Sequence, residues 1–105
     1  AALTLALANP SWAGELHSLT VAVGAGDWSI VNPWPVSIKV TRVKVVTDHA
    51  AYVAKGPGDL LTYCQASDQE CREDFAPHHV TIRPGEGLDV HVYGTWASIQ
   101  LWYTR

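Results

Sequence analysis

Apolar and polar residues alternate one for one along much of this chain, in short runs cut by glycine and proline. Leu19, Val21 and Val23 alternate with Ser18, Thr20 and Ala22, and Val36, Ile38 and Val40 alternate with Ser37, Lys39 and Thr41. A period of two puts one set of side chains on each face of a strand. Further runs of this kind are Trp28–Val31, Ala50–Ala54, Leu60–Cys64, His79–Arg83, Leu88–Tyr93 and Trp96–Tyr103. Between them lie turn-forming clusters: Gly24-Ala-Gly26-Asp27, Asn32-Pro-Trp-Pro35 and Gly56-Pro-Gly-Asp59. No long stretch carries the 3.6-residue period of a helix. The pattern predicts an all-β fold: an antiparallel β-sandwich, jelly-roll or immunoglobulin-like, of about seven to nine strands.

The phase of one strand slips. Val36, Ile38 and Val40 share a face, but further on Val43 and Val45 are the apolar residues and Arg42 and Lys44 the polar ones. A one-residue slip would turn the apolar set to solvent. A β-bulge near Val40–Arg42, or a bend where the strand changes sheets, repairs it. The predicted core is Leu19, Val21, Val23, Ile30, Ile38, Val40, Val43, Val45, Val53, Leu61, Val80, Ile82, Leu88, Val90, Val92, Ile99 and Leu101.

With 105 residues there is material for one domain. We divide it into an extended apolar N-terminal arm, residues 1–13, and a single β domain, residues 14–105. In the arm, Leu3, Leu5 and Leu7 alternate with Thr4, Ala6 and Ala8. One reading is a strand that packs on its own sheet or is donated to a neighbour's sheet edge. The other is a secretory signal remnant, with Ser11 and Ala13 at the small-residue cleavage positions.

The chain is 48% hydrophobic and only 16% charged, which opposes disorder and suggests that another molecule covers some apolar surface. Its net charge of -3 and scattered basic residues argue against a nucleic-acid partner. No apolar run has the length of a membrane helix. Cys64 and Cys71 flank a polar loop and are expected to form a disulfide, implying an oxidising compartment.

The C-terminal strands yield the most specific expectation. Gly94-Thr95 has the glycine-first form of a two-residue type II′ hairpin loop. That loop would pair Tyr93 with Trp96, Val92 with Ala97, Val90 with Ile99 and Leu88 with Leu101. The outer face would then hold Asp89, His91, Tyr93, Trp96, Ser98, Gln100 and Trp102. Large aromatics among polar groups are typical of contact surfaces. Three uses are open: cover by another part of this chain such as the arm, a protein contact in an assembly, or a flat platform for a sugar ring.

A catalytic or metal site is not expected. A loop at Pro84-Gly-Glu86 would set His79 opposite His91, with Asp89 nearby, but zinc wants three or four ligands. His17, His49 and His78 fall in no ligand pattern with them. The acidic residues Asp68, Glu70, Glu73 and Asp74 lack the spacing of a calcium loop and read as a solvated acidic loop. Nucleophile elbows, zinc-protease motifs and phosphate-binding glycine loops are missing from the sequence.

The segments Trp28-Ser-Ile-Val-Asn-Pro, Val36–Val46 with Ala50-Ala-Tyr-Val53, and Ile82-Arg-Pro-Gly-Glu86 with Val90-His-Val92 carry a resemblance. In style the chain resembles small β-sandwich proteins that decorate phage capsids or build extracellular filaments. The resemblance implies a structural subunit that binds copies of itself or another structural protein. The cysteine pair shifts the expectation toward an exported protein, extracellular or on a cell or virion surface. The expected function is a non-enzymatic assembly subunit without cofactor. Its contacts would use Leu3, Leu5 and Leu7 of the arm with Tyr93, Trp96, Trp102 and His91 of the outer face. The alternative is a secreted binding module with an aromatic platform for a carbohydrate or protein ligand.

Overall fold

The computed structural model describes residues 2–4, 16–56, 59–68, 70–75 and 77–104. It is all-β, and among the described residues no helix is long and apolar enough to cross a membrane. The strands are β1 (Ala2–Thr4), β2 (His17–Val31), β3 (Ile38–Thr47), β4 (Ala50–Ala54), β5 (Leu60–Gln65), β6 (Cys71–Asp74), β7 (Val80–Ile82) and β8 (Gly87–Thr104). They form one continuous sheet that bends into a nearly closed barrel, where two separate sheets were expected. Pairing is antiparallel except that β1 runs parallel to β2, with Leu3 in register with Ile30. Leu5 and Leu7 lie outside the described residues.

The predicted C-terminal hairpin does not form. Residues 87–104 are a single strand, and so are residues 17–31, where Gly24–Asp27 was expected to be a turn. β2 and β8 pair with each other along almost their whole length, from His17↔Tyr103 to Val31↔Gly87. Between Gly24↔Trp96 and Gly26↔Val92, β2 has one unpaired residue, Ala25, and β8 has three, Tyr93, Gly94 and Thr95. Both strands bend there. Gly26 has φ of 112°, a conformation that side-chain-bearing residues rarely adopt.

The bend also exchanges the buried phase. Before it β8 buries Leu88, Val90 and Val92; after it, Ala97, Ile99, Leu101 and Tyr103. β2 does the same, burying Ile30 on one side of the bend and Val23 on the other. The two glycine motifs, which sit opposite each other, are therefore one shared irregularity that keeps the apolar side inward while the sheet turns.

β3 lies beside the C-terminal half of β8, and its register shifts between Val40 and Arg42, so the expected bulge is present. The other side of β3 carries β7 and β6. β6 falls within what the sequence suggested was a solvated acidic loop. β4 pairs with the N-terminal half of β8, and β5 completes that side. Cys64 of β5 is disulfide-bonded to Cys71 of β6, with Cα atoms 5.5 Å apart, tying the two halves at the open side. Closing so short a loop contributes about 2–3 kcal/mol in the chain-entropy model.

The core contains most of the predicted residues, with Val23, Ile38, Val43, Val53, Val90 and Ile99 all buried. Leu19, Val21, Leu61 and Val80 pack against it while half-buried. Ala51, Cys64 and Tyr103 are core residues not anticipated. Burial pushes the Tyr103 phenol above its ordinary value.

Two polar anchors hold the connections. Asn32 is fully buried. Its Nδ2 donates to the carbonyls of Val36 and Ile82, each at 3.0 Å, and its Oδ1 accepts from the Trp34 N–H at 3.0 Å. Its backbone N–H and C=O pair with Glu86 and Gly85. Every group of this side chain is thus used to fasten the Pro33–Pro35 segment to the β7–β8 turn. The Asn32→Ala variant leaves those partners unpaired in the interior, at roughly 1–3 kcal/mol each. Urea unfolding is expected to show a loss of about 3 kcal/mol or more, near the upper end for a single substitution.

The second anchor is Asp48, after β3. Its carboxylate accepts from the N–H groups of Thr95 at 3.0 Å and Trp96 at 3.3 Å, and from the Thr95 hydroxyl. Chiefly through the Thr95 hydroxyl, these bonds hold the Asp48 carboxyl below its ordinary value of 3.8. A side chain at Gly94 would run into this carboxylate and approach His49 Cβ to 2.8 Å. Because the folded pKa is depressed, the ionised form contributes stability above about pH 4, and this is lost as pH falls through the lowered value. Asp48→Asn is therefore expected to be less stable than the parent near neutrality. The gap should narrow on acidification, as read by thermal melts across that range. Gly94→Ala should be destabilised at every pH.

Candidate functional site

The continuity of β8 decides what lies on the outer surface. Four strands run side by side in the order β5, β4, β8, β2. Tyr63 stands opposite Tyr52, Tyr52 opposite His91, and His91 opposite Asp27. Directly opposed residues share a face of the sheet. Their neighbours along each strand, such as Ala51, Val53, Thr62, Cys64, Val90 and Val92, point inward and are buried. Strand alternation thus presents Tyr63, Tyr52, His91 and Asp27 as a row across the outside.

Two rings of this row are in contact, and a third joins them. Tyr52 stacks on His91 with centroids 5.6 Å apart. Tyr93, one outward position along β8, meets His91 edge-on at 4.3 Å and lies 6.2 Å from Tyr52. His91 Nδ1 contacts the Asp27 carboxylate, which fixes the ring across the β2–β8 seam. Tyr63 and Tyr93 are about half exposed, at 46% and 54%.

The next outward row is polar. Asp89 lies opposite Ser29 on one side and Ala54 on the other, and the Ser29 hydroxyl donates to it at 3.3 Å. Two shallow hollows flank the aromatic row. One, of about 430 Å³, is lined by Tyr52, Tyr63, Tyr93, Leu60, Asp59 and Asp89, together with Ala54 and Gly56. The other, of about 400 Å³, is lined by Asp27, Trp28, Ser29, Tyr52, Asp89 and Val90.

The residues selected from sequence do not all meet. His91 and Tyr93 are in this site. Trp96 is exposed at the bend, its carbonyl accepting from the Thr47 hydroxyl at 2.9 Å. Trp102 lies far along β8, half-covered by the Arg42 guanidinium 5.3 Å from its ring, and Arg42 in turn pairs with Asp74. Leu3 is in the β1–β2 ladder. Tyr52, Tyr63, Leu60, Asp27 and Asp59 were not selected. Tyr52 is a large residue on the outward phase of an otherwise buried strand, a signal present in the sequence. Its neighbours, however, are set by strand order, which periodicity does not encode.

The proposed His79–His91 facing pair is not formed. His79 precedes β7, which pairs with β3, while His91 faces Asp27 and Tyr52. Three of the acidic residues of the loop are engaged separately: Asp68 accepts from the Gln65 N–H at 3.1 Å, Glu70 pairs with Lys44 at 3.1 Å, and Asp74 pairs with Arg42. Asp68 also lies beside Cys64 and Cys71, whose sulfurs are joined to each other and so offer no thiolate to a metal.

Chemically, the site offers aromatic faces and carboxylate acceptors on a broad open surface. It suits recognition of an extended ligand that has both apolar ring faces and hydrogen-bond donors. Comparison with protein-family models, with curated proteins and with solved structures finds no match to this chain.

Proposed function

We propose that this protein is a non-enzymatic binding module that holds a sugar chain on its outer Tyr63–Tyr52–His91–Asp27 row. The observation that carries the reading is the ring cluster of Tyr52, His91 and Tyr93, half-exposed and joined across adjacent strands, with carboxylates lining the hollows beside it. Sugar rings present flat C–H faces that rest on aromatic rings, and hydroxyls that donate to carboxylates. A rigid sheet holds such groups in place without the ordering cost of a loop. The disulfide is consistent with an oxidising, extracellular setting.

A second reading uses this surface together with Trp96 at the bend. In a filament or virion subunit, Tyr63, Tyr93, Trp96 and Leu60 would be covered by another protein, and each of them is exposed in the single chain. It is supported by exposure alone, whereas the sugar reading also accounts for the carboxylates.

Titration calorimetry of the full chain against a panel of soluble neutral, acidic and amine-bearing oligosaccharides tests the proposal. At least one class should bind. Tyr52→Ala and Tyr63→Ala should each weaken that binding by about tenfold, the scale of one lost aromatic contact. Both should melt within a few degrees of the parent, since neither ring is in the core. Absence of binding throughout the panel, with concentration-dependent multimers that Tyr52→Ala abolishes in light scattering, would replace the sugar reading with the assembly reading.

A further inference from the structure

Basic and acidic residues are mixed on β3, β6 and the β7–β8 turn, but in the linings of the two hollows only one sign is present. Lys39, Arg42 and Lys44 lie on β3, Arg72 on β6 and Arg83 just after β7, with Glu70, Glu73, Asp74 and Glu86 interspersed among them. The carboxylates gather in the hollows: Asp59 and Asp89 line one, Asp27 and Asp89 the other, and among the described residues neither lining includes a lysine or arginine. Lys55 stands in sequence between Ala54 and Gly56 of the first hollow but lines neither hollow.

The carboxylates are not equivalent. Asp27 is committed to His91, and Asp89 accepts from the Ser29 hydroxyl. Asp59 lies at the rim beside Leu60, exposed, with no side-chain hydrogen bond among the described residues. Asp59 and Asp89 thus face the same hollow as the rings of Tyr52, Tyr63 and Tyr93. Two carboxylates with three phenol rings attract a cation twice over, through opposite charge and through the negative faces of the rings. A neutral sugar would use only the hydrogen-bonding capacity of these groups.

We propose that the ligand is a sugar chain bearing protonated amines, with an ammonium group seated between Asp59 and Asp89 against the tyrosine rings. This rests on the sugar-binding reading and names its ligand class. An acidic polysaccharide is disfavoured by the same charges.

The test compares short glucosamine oligomers with their N-acetylated counterparts, on the full chain, at about pH 5.5, where carboxylates are ionised and the sugar amines carry protons. The amine form should bind about tenfold tighter or more at physiological salt. The double variant Asp59→Asn with Asp89→Asn should reduce its affinity to that of the acetylated form. Tyr52→Ala should weaken both oligomers. Equal affinity for the two, a preference for the acetylated form, or a preference that survives the double variant would overturn the inference while leaving the sugar reading in place. Failure of both oligomers to bind would also overturn it; the sugar reading itself falls only if the neutral and acidic sugars fail too. Oligolysine binding as tightly as the glucosamine oligomer would overturn it as well, because the face would then recognise charge without the sugar.

Discussion

The pairing of β2 with β8 through a shared bend is the constraint on which the rest of the molecule depends. Each strand contributes to both halves of the sheet, so β3 and β4 can flank the same strand β8 at different points along it. In a regular pleat Gly24 and Gly26 would share a face. Here Gly24 pairs with outward Trp96 and Gly26 with inward Val92. That exchange of phase lets an apolar side run unbroken from Leu88 to Tyr103 around a corner. Asp48 braces the corner from outside by binding the amides of Thr95, which the bend leaves unpaired, and of Trp96, where pairing with β2 resumes.

Much of this was legible in the sequence because alternation reports burial directly. It identified the buried face of β8 on both sides of the bend, the bulge near Val40–Arg42 and the Cys64–Cys71 disulfide. What it could not decide was whether Gly94-Thr95 reverses the chain or bends it. Glycine serves hairpin loops and bulges alike. The hairpin register looked sound because any two strands of matched alternation set apolar residues against apolar ones. Val90 against Ile99 and Ile30 against Leu88 are equally satisfactory as pairs. Asn32 escaped notice for a related reason: next to two prolines it reads as a loop residue, and only the folded chain brings the Val36 and Ile82 carbonyls to it.

The same ambiguity governed the site. A local hairpin would have gathered Tyr93, Trp96 and Trp102 on one small face. The continuous strand instead separates them and places His91 between Tyr52 and Asp27, residues about forty and sixty positions away in sequence. Tyr63, Tyr52, His91 and Asp27 become a row only because β5, β4, β8 and β2 are neighbours. The functional proposal therefore stands on the topology before it stands on any one side chain. The character of the hollows follows as well: Arg42 and Lys44 of β3 pair with Asp74 and Glu70, while the carboxylates beside the rings share their hollows with no lysine or arginine among the described residues.

The most direct measurement is a set of cross-strand proton contacts by nuclear magnetic resonance on the labelled chain. The bent pair predicts contacts between Leu19 and Leu101, between Ile30 and Leu88, and between Tyr52 and His91. Contacts of Val90 with Ile99 and Val92 with Ala97, in place of these, would mean that the chain reverses at Gly94-Thr95. The aromatic row would then not exist.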